Sequence, residues 1–279
     1  MAMSRGSRET LGFFALTFAI TEPCFIAAAT MSRSIAPGAS WGPAIGALVL
    51  LGTFAPGLVA LALTARATGR AGVAVLLARM FRARVRARWY VFALGFMVGI
   101  RLAAAVLLRL ATGAWPRFGD TPFYLMLAAT LFSVLVGGQA GEELGWRGYA
   151  LPRLAEKFGL PGASVILGVL WACWHLPLYW FHGADKYGQS FVVSLLQVTA
   201  LSVATAWLYW RSGGSLLLTM LMHAAINNTK DIVPTVPRMA TNPFVISAPL
   251  STWLGTAVLW VVAGVLLVRM KGARLDDHT

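Results

Sequence analysis

The sequence predicts an all-α membrane protein with about eight transmembrane helices, and two observations lead to this prediction. The chain of 279 residues is 58% hydrophobic and only 12% charged, with a mean hydropathy of +0.71. Soluble domains are usually about 45–50% apolar. Several uninterrupted apolar runs also reach the roughly 20 residues that a helix needs to cross a bilayer. Because a soluble core could not bury so many apolar helices, we expect a single polytopic membrane domain over residues 1–279.

The apolar runs define the predicted spans in chain order. The first is expected to be a retained helix rather than a signal peptide, because Glu22 and Pro23 interrupt its apolar stretch. Two segments, near 71–87 and 148–158, interleave apolar residues with arginine or lysine, and we expect them to form amphipathic helices on the membrane surface. The eight predicted spans cover residues 10–31, 42–65, 88–111, 121–141, 162–181, 190–210, 214–230 and 248–270.

The charge distribution excludes some functions and predicts an orientation. The net charge is +13, but lysine and arginine cluster in the segments between the apolar runs, which indicates membrane topology and no nucleic-acid partner. Cytoplasmic loops of membrane proteins are enriched in these residues, so both termini are expected in the cytoplasm of a cell (inner) membrane protein. The same rule places the stretch GEELGWR, residues 141–147, at the cytoplasmic end of the fourth span. The two cysteines lie in apolar runs and indicate neither a disulfide framework nor a metal-binding pair.

Two adjacent carboxylates in GEELGWR follow twenty residues without a charge, in a chain with only ten acidic residues. On a helix, Glu143 and Arg147 are four residues apart and share one face, so they are expected to pair. Glu142 points about 100° away from Glu143, and the two carboxylates therefore need not have the same role. Glu22 is a further acidic residue within an apolar run, and we expect its donor to be Arg101 or Arg109.

Two other apolar spans contain polar pairs at the same spacing. Trp171 and His175 are four residues apart, and so are His223 and Asn227. A lone histidine within a membrane often only links helices by hydrogen bonds, but three polar sites on three apolar helices favour a common functional cavity. A carboxylate and a neutral imidazole can activate water, while an imidazole and an amide can stabilise an oxyanion. We therefore expect Glu142 to lie close to His175, with His223 and Asn227 lining the same cavity.

These three motifs, Glu-Glu-x-x-x-Arg, aromatic-x-x-x-His and His-x-x-x-Asn, occur in this order in separate apolar spans. The arrangement resembles the CAAX protease and bacteriocin-processing family of intramembrane glutamic endopeptidases, which is related to the CAAX prenyl endopeptidase. The resemblance runs from about Glu142 to Asn227, and residues 1–120 contain no motif that we can assign. The aromatic residue is commonly phenylalanine in this family, whereas this chain has Trp171.

The resemblance implies an eight-helix fold with a conical cavity open to the cytosolic side. It also implies that Glu142 and His175 activate water and that His223 and Asn227 form the oxyanion hole. Glu143, paired with Arg147, would maintain the geometry of the site, and Trp171 would support it. The implied partners are the lipid bilayer and a peptide or protein substrate, either lipidated or membrane-bound. No metal and no cofactor are implied.

Two alternatives stay open at the level of the sequence. Glu142, His175 and His223 could ligate zinc in a membrane metalloprotease, although the chain has no His-Glu-x-x-His motif. The same polar cluster could instead serve a transporter or a scaffold without catalysis. Sensitivity to zinc chelators distinguishes the first alternative from a glutamic peptidase, and proteolysis in detergent distinguishes the second.

Overall fold

The structure is a computed structural model that describes residues 5–35, 40–234 and 242–275, and within these ranges the chain is helical, without β-strands. Short 3₁₀ turns lie at Arg79–Phe81, Leu176–Trp180 and Lys230–Ile232, and a π-helical turn covers Trp146–Ala150. The α-helices of the described ranges are α1 (Arg5–Ser32), α2 (Pro43–Ala78), α3 (Ala87–Thr112), α4 (Phe123–Val136), α5 (Gln139–Gly145), α6 (Leu151–Trp174), α7 (Phe191–Arg211), α8 (Leu216–Asn228) and α9 (Leu250–Arg269).

The prediction of an all-α membrane protein is confirmed, but the number of eight spans is not. Within the described ranges, six helical stretches are long and apolar enough to cross a membrane. The predicted spans 121–141 and 214–230 instead form α4 and α8, which have 14 and 13 residues. Helices of that length extend about 20 Å, which is shorter than a hydrocarbon core of about 30 Å. The helix of span 121–141 stops early because Gly138 adopts a left-handed conformation with a φ of 85°.

Glycines also divide the two longest helices. Gly69 and Gly159 have φ values of 66° and 67°, so α2 and α6 each consist of two helical segments across a kink. The short segments coincide with the predicted surface helices near 71–87 and 148–158. The first differs from its prediction at its C-terminal end, because the α-helix ends at Ala78 and residues 82–86 are not helical. There the Ser215 hydroxyl donates a hydrogen bond of 2.7 Å to the Arg82 carbonyl, in place of a helical partner.

The short helix α5 packs against the middle of α2 through contacts between backbones. A β-carbon built at Gly57 would lie 2.7 Å from the carbonyl oxygen of Gly141, and one at Gly145 would lie 2.5 Å from Pro56. Small residues permit such close helix approach in membranes. The stretch 141–147 therefore lies beside the centre of a long helix and not at the cytoplasmic end of a span, because the chain turns at Gly138 before it reaches that end.

The bundle has two distinct ends. The arginine end contains the connections 79–86 and 212–215, which touch each other through a hydrogen bond from the Arg82 guanidinium to the Gly213 carbonyl. The loop end contains the described connections 113–122, 175–190, 229–234 and 242–249. Because successive long helices run in opposite directions, α6 and α8 end at the loop end, while α7 and α9 begin there.

The contact between α2 and α5 makes Gly57→Ala a test of the packing. The new methyl group would overlap the Gly141 carbonyl oxygen, and overpacking of this kind costs about 1–3 kcal/mol. We expect a lower unfolding temperature in detergent than for the wild type. Gly46→Ala in the same helix is the matched control, since nothing lies within 4 Å of its added carbon. Equal unfolding temperatures for both variants would contradict the close approach.

Candidate active site

A buried charge network joins α5, the π-helical turn and α8. The Arg147 guanidinium donates a hydrogen bond from Nη1 to Glu143 Oε1 at 2.9 Å, and His223 Nδ1 lies 3.0 Å from the same oxygen. The side chains of Glu143 and Arg147 are completely buried. The pair that the four-residue spacing predicts is therefore present, but its third member, His223, comes from a helix 80 residues further along the chain.

Glu142 has different partners from Glu143. Its Oε2 accepts a hydrogen bond of 2.9 Å from the indole Nε1 of Trp171. It also remains 7% exposed, whereas Glu143 is 0% exposed. The two neighbouring carboxylates thus point to different surroundings, as their 100° separation on a helix predicts. Only Glu142 has surface left for a small molecule such as water.

Trp171 contacts four of the charged or imidazole groups of this cluster. Its ring lies 4.2 Å from the Arg147 guanidinium, and it meets the His223 ring edge-to-face with centroids 5.2 Å apart. Its backbone carbonyl lies 2.7 Å from His175 Nδ1. The spacing of the sequence places Trp171 beside His175, but it does not reveal the bond to Glu142. The one signal for that bond is the indole itself, because phenylalanine has no N–H to donate.

The hydrogen bonds of the two histidines determine which ring nitrogen remains free. A carbonyl oxygen can only accept, so His175 Nδ1 must carry the hydrogen that bonds to Trp171. In the neutral imidazole, Nε2 is then the nitrogen that can accept a proton. The same reasoning assigns a hydrogen to Nδ1 of His223, whose partner is the Glu143 carboxylate. In both rings, Nδ1 is therefore engaged by the protein, and Nε2 is the nitrogen left for another partner.

Asn227 lies apart from this cluster, on the wall of a cavity. The cavity has a volume of about 510 Å³, opens at the loop end and lies between α3, α7, α8 and α9. Asn227 is exposed there and makes no hydrogen bond to any residue that the structure describes. It stands one helical turn beyond His223 on α8. In the described ranges, Glu142 and His175 form no direct hydrogen bond with each other. Trp171 links them instead, because its indole donates to Glu142 and its backbone carbonyl accepts from His175.

Charged side chains surround the mouth of the cavity. Asp185 forms an ion pair with Lys230, and Arg101 and Lys186 also line the wall. Burial alone would raise the pKa of Asp185, but the charges of Lys186 and Lys230 lower this pKa to about 2. The Asp185 carboxylate therefore stays ionised at all ordinary pH values, and the mouth is a permanently charged, polar entrance.

The expected pairing of Glu22 with Arg101 or Arg109 is wrong. Neither arginine forms an ion pair with Glu22 in the described part of the chain, and Glu22 Oε1 is buried without a hydrogen-bond partner. The reason lies in helix packing. Glu22 belongs to α1, which packs against α2 and α6, whereas both arginines belong to α3, which packs against α8 and α9.

The fit of a metal ion can be judged from the donor groups. Over the residues that the structure describes, no three His, Cys, Asp or Glu side chains are grouped as metal ligands. Glu142, His175 and His223, the zinc ligands of the alternative reading, are separated by the Trp171 side chain and backbone. Their arrangement does not fit a tetrahedral site, in which all ligand atoms lie about 2 Å from the metal.

The charge network predicts that Arg147→Ala destabilises the fold. Removing one partner of a buried pair leaves an uncompensated charge, at a cost of roughly 3–5 kcal/mol. We expect a much lower unfolding temperature in detergent. The matched control is Arg117→Ala, because Arg117 and Asp120 form an exposed ion pair at 3.8 Å. Exposed pairs contribute only about 0–1 kcal/mol to the free energy of unfolding. An Arg147→Ala protein as stable as the control would show that the buried pair is dispensable.

Comparison with known proteins gives the same assignment for the region around this site. Residues 121–229 match the family described as Type II CAAX prenyl endopeptidase Rce1-like. The chain is also 31% identical over 120 residues to CAAX prenyl protease 2 of Methanococcus maripaludis, an alignment that covers 40% of this chain and 40% of the relative. The chain thus spans less than half the length of that relative. All seven residues singled out from the three motifs lie within the matched region. Residues 121–229, which contain the site, are therefore similar to the CAAX protease family.

Proposed function

We propose that the protein is an intramembrane endopeptidase that hydrolyses a peptide bond of a lipidated or membrane-associated peptide or protein. The observation that supports this most directly is the separation of the two adjacent carboxylates. Glu143 is engaged by Arg147 and His223, while Glu142 retains accessible surface beside the completely buried Glu143 and Arg147. A carboxylate placed in this way can accept a proton from water.

In the proposed first step, water attacks the carbonyl carbon of the substrate directly. Glu142 accepts the proton of the water, and the Trp171 indole keeps the carboxylate in place through the bond to Oε2. His175, whose Nδ1 is bonded to the Trp171 carbonyl, orients the water through Nε2. The bonds that form are a carbon–oxygen bond in the substrate and an O–H bond on Glu142. No covalent intermediate with the protein is needed.

The negative charge that develops on the substrate oxygen needs hydrogen-bond donors. The Asn227 amide has free donors on the cavity wall, and His223 can donate from Nε2. Donation from Nε2 requires the imidazolium form, because Nδ1 already carries the hydrogen directed at Glu143. Glu143 and Arg147 therefore act as positioning residues for His223. When the leaving amine departs, it takes the proton from Glu142.

We propose that the substrate reaches this site through the cavity at the loop end. The cavity is large enough for a few side chains, and Asn227 stands both on its wall and one turn from His223. Its apolar residues, such as Met97 and Leu259, suit a hydrophobic substrate, whereas Ser194 and Gln197 offer polar contacts. A lipidated or membrane-embedded peptide matches this mixture.

The proposed orientation places both termini in the cytoplasm of a cell (inner) membrane. Most lysines and arginines outside the spans lie at the arginine end, which the positive-inside rule assigns to the cytoplasm. The cavity then opens on the opposite side of the membrane, because its mouth is formed by the loop end. This differs from the cytosolic opening that the family resemblance implies, and the two expectations can be separated by experiment.

Glu142→Gln tests the proposed general base. Glutamine keeps the size of glutamate but cannot accept a proton from water, and losses of about 10²–10⁴-fold are typical for a missing general base. We expect the purified variant to be folded but inactive on a membrane-peptide substrate in detergent. Glu156→Gln is the matched control, since it makes the same chemical change on an exposed carboxylate of α6 and should leave activity unchanged.

Two outcomes would contradict this mechanism. Cleavage by Glu142→Gln at the wild-type rate would remove Glu142 from the chemistry. Full inhibition of the wild type by zinc chelators, reversed by added zinc, would favour the metalloprotease alternative. Wild-type protein that binds but never cleaves any tested peptide would favour the non-catalytic transporter or scaffold.

Cysteine labelling tests the orientation. In a variant without Cys24 and Cys173, single cysteines replace Lys186 at the loop end or Lys271 beyond α9 at the arginine end. We expect a membrane-impermeant maleimide to label Lys186→Cys in intact cells, and Lys271→Cys only after lysis. The reverse pattern would place the cavity mouth in the cytoplasm, as the family resemblance implies.

A further inference from the structure

A strongly basic surface lies at the arginine end and has no part in the proposed catalysis. The segment RARVRAR, residues 82–88, contains four arginines, and the whole sequence from residue 23 to residue 119 contains no aspartate or glutamate. Arg211 at the end of α7 lies on the same cavity. The basic cavity has a volume of about 350 Å³ and is lined by Arg82, Arg84, Val85, Arg86, Arg88, Trp89, Arg211, Ser212 and Gly213.

The backbone of the arginine segment is fastened to its surroundings. The Arg82 guanidinium donates to the Gly213 carbonyl, and the Ser215 hydroxyl donates to the Arg82 carbonyl at 2.7 Å. The Tyr90 hydroxyl donates to the Ala83 carbonyl at 2.8 Å. These bonds keep the non-helical segment next to the connection between α7 and α8. The arginines that follow Arg82 therefore project from a positioned loop around a concave surface.

The Trp89 ring contacts two of the arginines that line the basic cavity. Trp89 is buried, with 8% of its surface exposed, and it belongs to the hydrophobic core cluster. The Arg88 guanidinium lies 4.6 Å from its ring centroid, and the Arg211 guanidinium lies 5.5 Å from it. Stacking on an aromatic face reduces the freedom of an arginine and preorganises it for an anionic ligand. Both guanidinium groups thus stay at the rim of the cavity.

We propose that this basic cavity binds the phosphate headgroup of an anionic phospholipid from the adjacent leaflet. The planar guanidinium group of arginine can donate two parallel hydrogen bonds to phosphate oxygens. Among the described residues that line the cavity, none is acidic. The cavity lies where α2 leaves and α3 enters the membrane, which is the depth of lipid headgroups. Basic pockets at this depth are suited to headgroup phosphates.

The position of individual arginines separates this proposal from general attraction to a charged surface. Arg66 and Arg70 lie near the same end of the bundle and are exposed, but they do not line the cavity. A general surface effect depends on the number of charges, so both groups of arginines would contribute to it equally. A built headgroup site depends on Arg84, Arg86 and Arg88 and on the guanidinium shape.

The experiment measures lipid binding to the purified full chain by native mass spectrometry, with phosphatidylglycerol and phosphatidylcholine as probes. We expect one tightly bound phosphatidylglycerol and no comparable phosphatidylcholine adduct. The combined change Arg84→Gln, Arg86→Gln and Arg88→Gln should weaken that binding about 100-fold, given roughly fivefold for each lost arginine near a headgroup. The control change Arg66→Gln with Arg70→Gln should leave it within about threefold of wild type.

A second variant keeps the positive charges and removes the planar guanidinium groups. Replacing the same three arginines by lysine preserves the net charge, and we expect at least a tenfold weaker site because lysine binds phosphate only as a point charge. Unfolding temperatures of all variants show whether they fold, and Arg86→Gln alone replaces any triple variant that does not. Arg82 is left unchanged because it fastens the loop.

Three results would overturn the proposal. Equal losses in the cavity variant and in the Arg66 and Arg70 control would reduce the effect to surface charge. Binding of phosphatidylglycerol to the lysine variant as tightly as to the wild type would also reduce the effect to surface charge. Displacement of the lipid by inorganic phosphate at equal concentration would show a site for free anions in place of a lipid headgroup.

Discussion

The buried charge network of Glu143, Arg147 and His223 is the constraint on which the site depends. In an apolar bundle, an ionised group without partners costs several kcal/mol, so these side chains must meet wherever the backbone allows. Their meeting brings α5, the π-helical turn and α8 together at one point. The glycine contacts between α2 and α5 then bring this point beside the middle of α2. The stability of the site and, in our proposal, its catalysis therefore depend on the same three residues.

Trp171 transmits this geometry to the two groups that the proposed reaction uses. One side chain bonds Glu142, contacts Arg147 and faces His223, while its backbone carbonyl orients His175. A phenylalanine at this position could stack in the same way but could not bond the carboxylate. Tryptophan thus gives this chain a direct link between the aromatic motif and the proposed base, in addition to the packing that any aromatic residue would supply.

The two ends of the bundle differ in chemistry and, in our proposals, in task. The loop end has a cavity with a mixed apolar and charged lining, which includes an ion pair and Asn227. The arginine end has a basic cavity, and no acidic residue is among the described residues of its wall. A peptide would enter at the first end, and headgroup phosphates would fix the depth of the helices at the second. Such anchoring would keep a site in the middle of the bilayer at a constant distance from both surfaces.

Hydropathy and the four-residue spacing were enough to predict the membrane class, most helix positions and the pairing of Glu143 with Arg147, because these depend on neighbours within one helix. The sequence could not show that α4 and α8 are short or that residues 82–86 are not helical. Nor could it show that Glu22 has no arginine partner in the described part of the chain. It also could not show the bonds from Glu142 to Trp171 and from Glu143 to His223, which join residues 29 and 80 positions apart. Those features depend on kinks at glycines and on which helices touch. Only the packing of the whole bundle decides them, since side chains on different helices meet according to tertiary structure and not according to spacing along the chain.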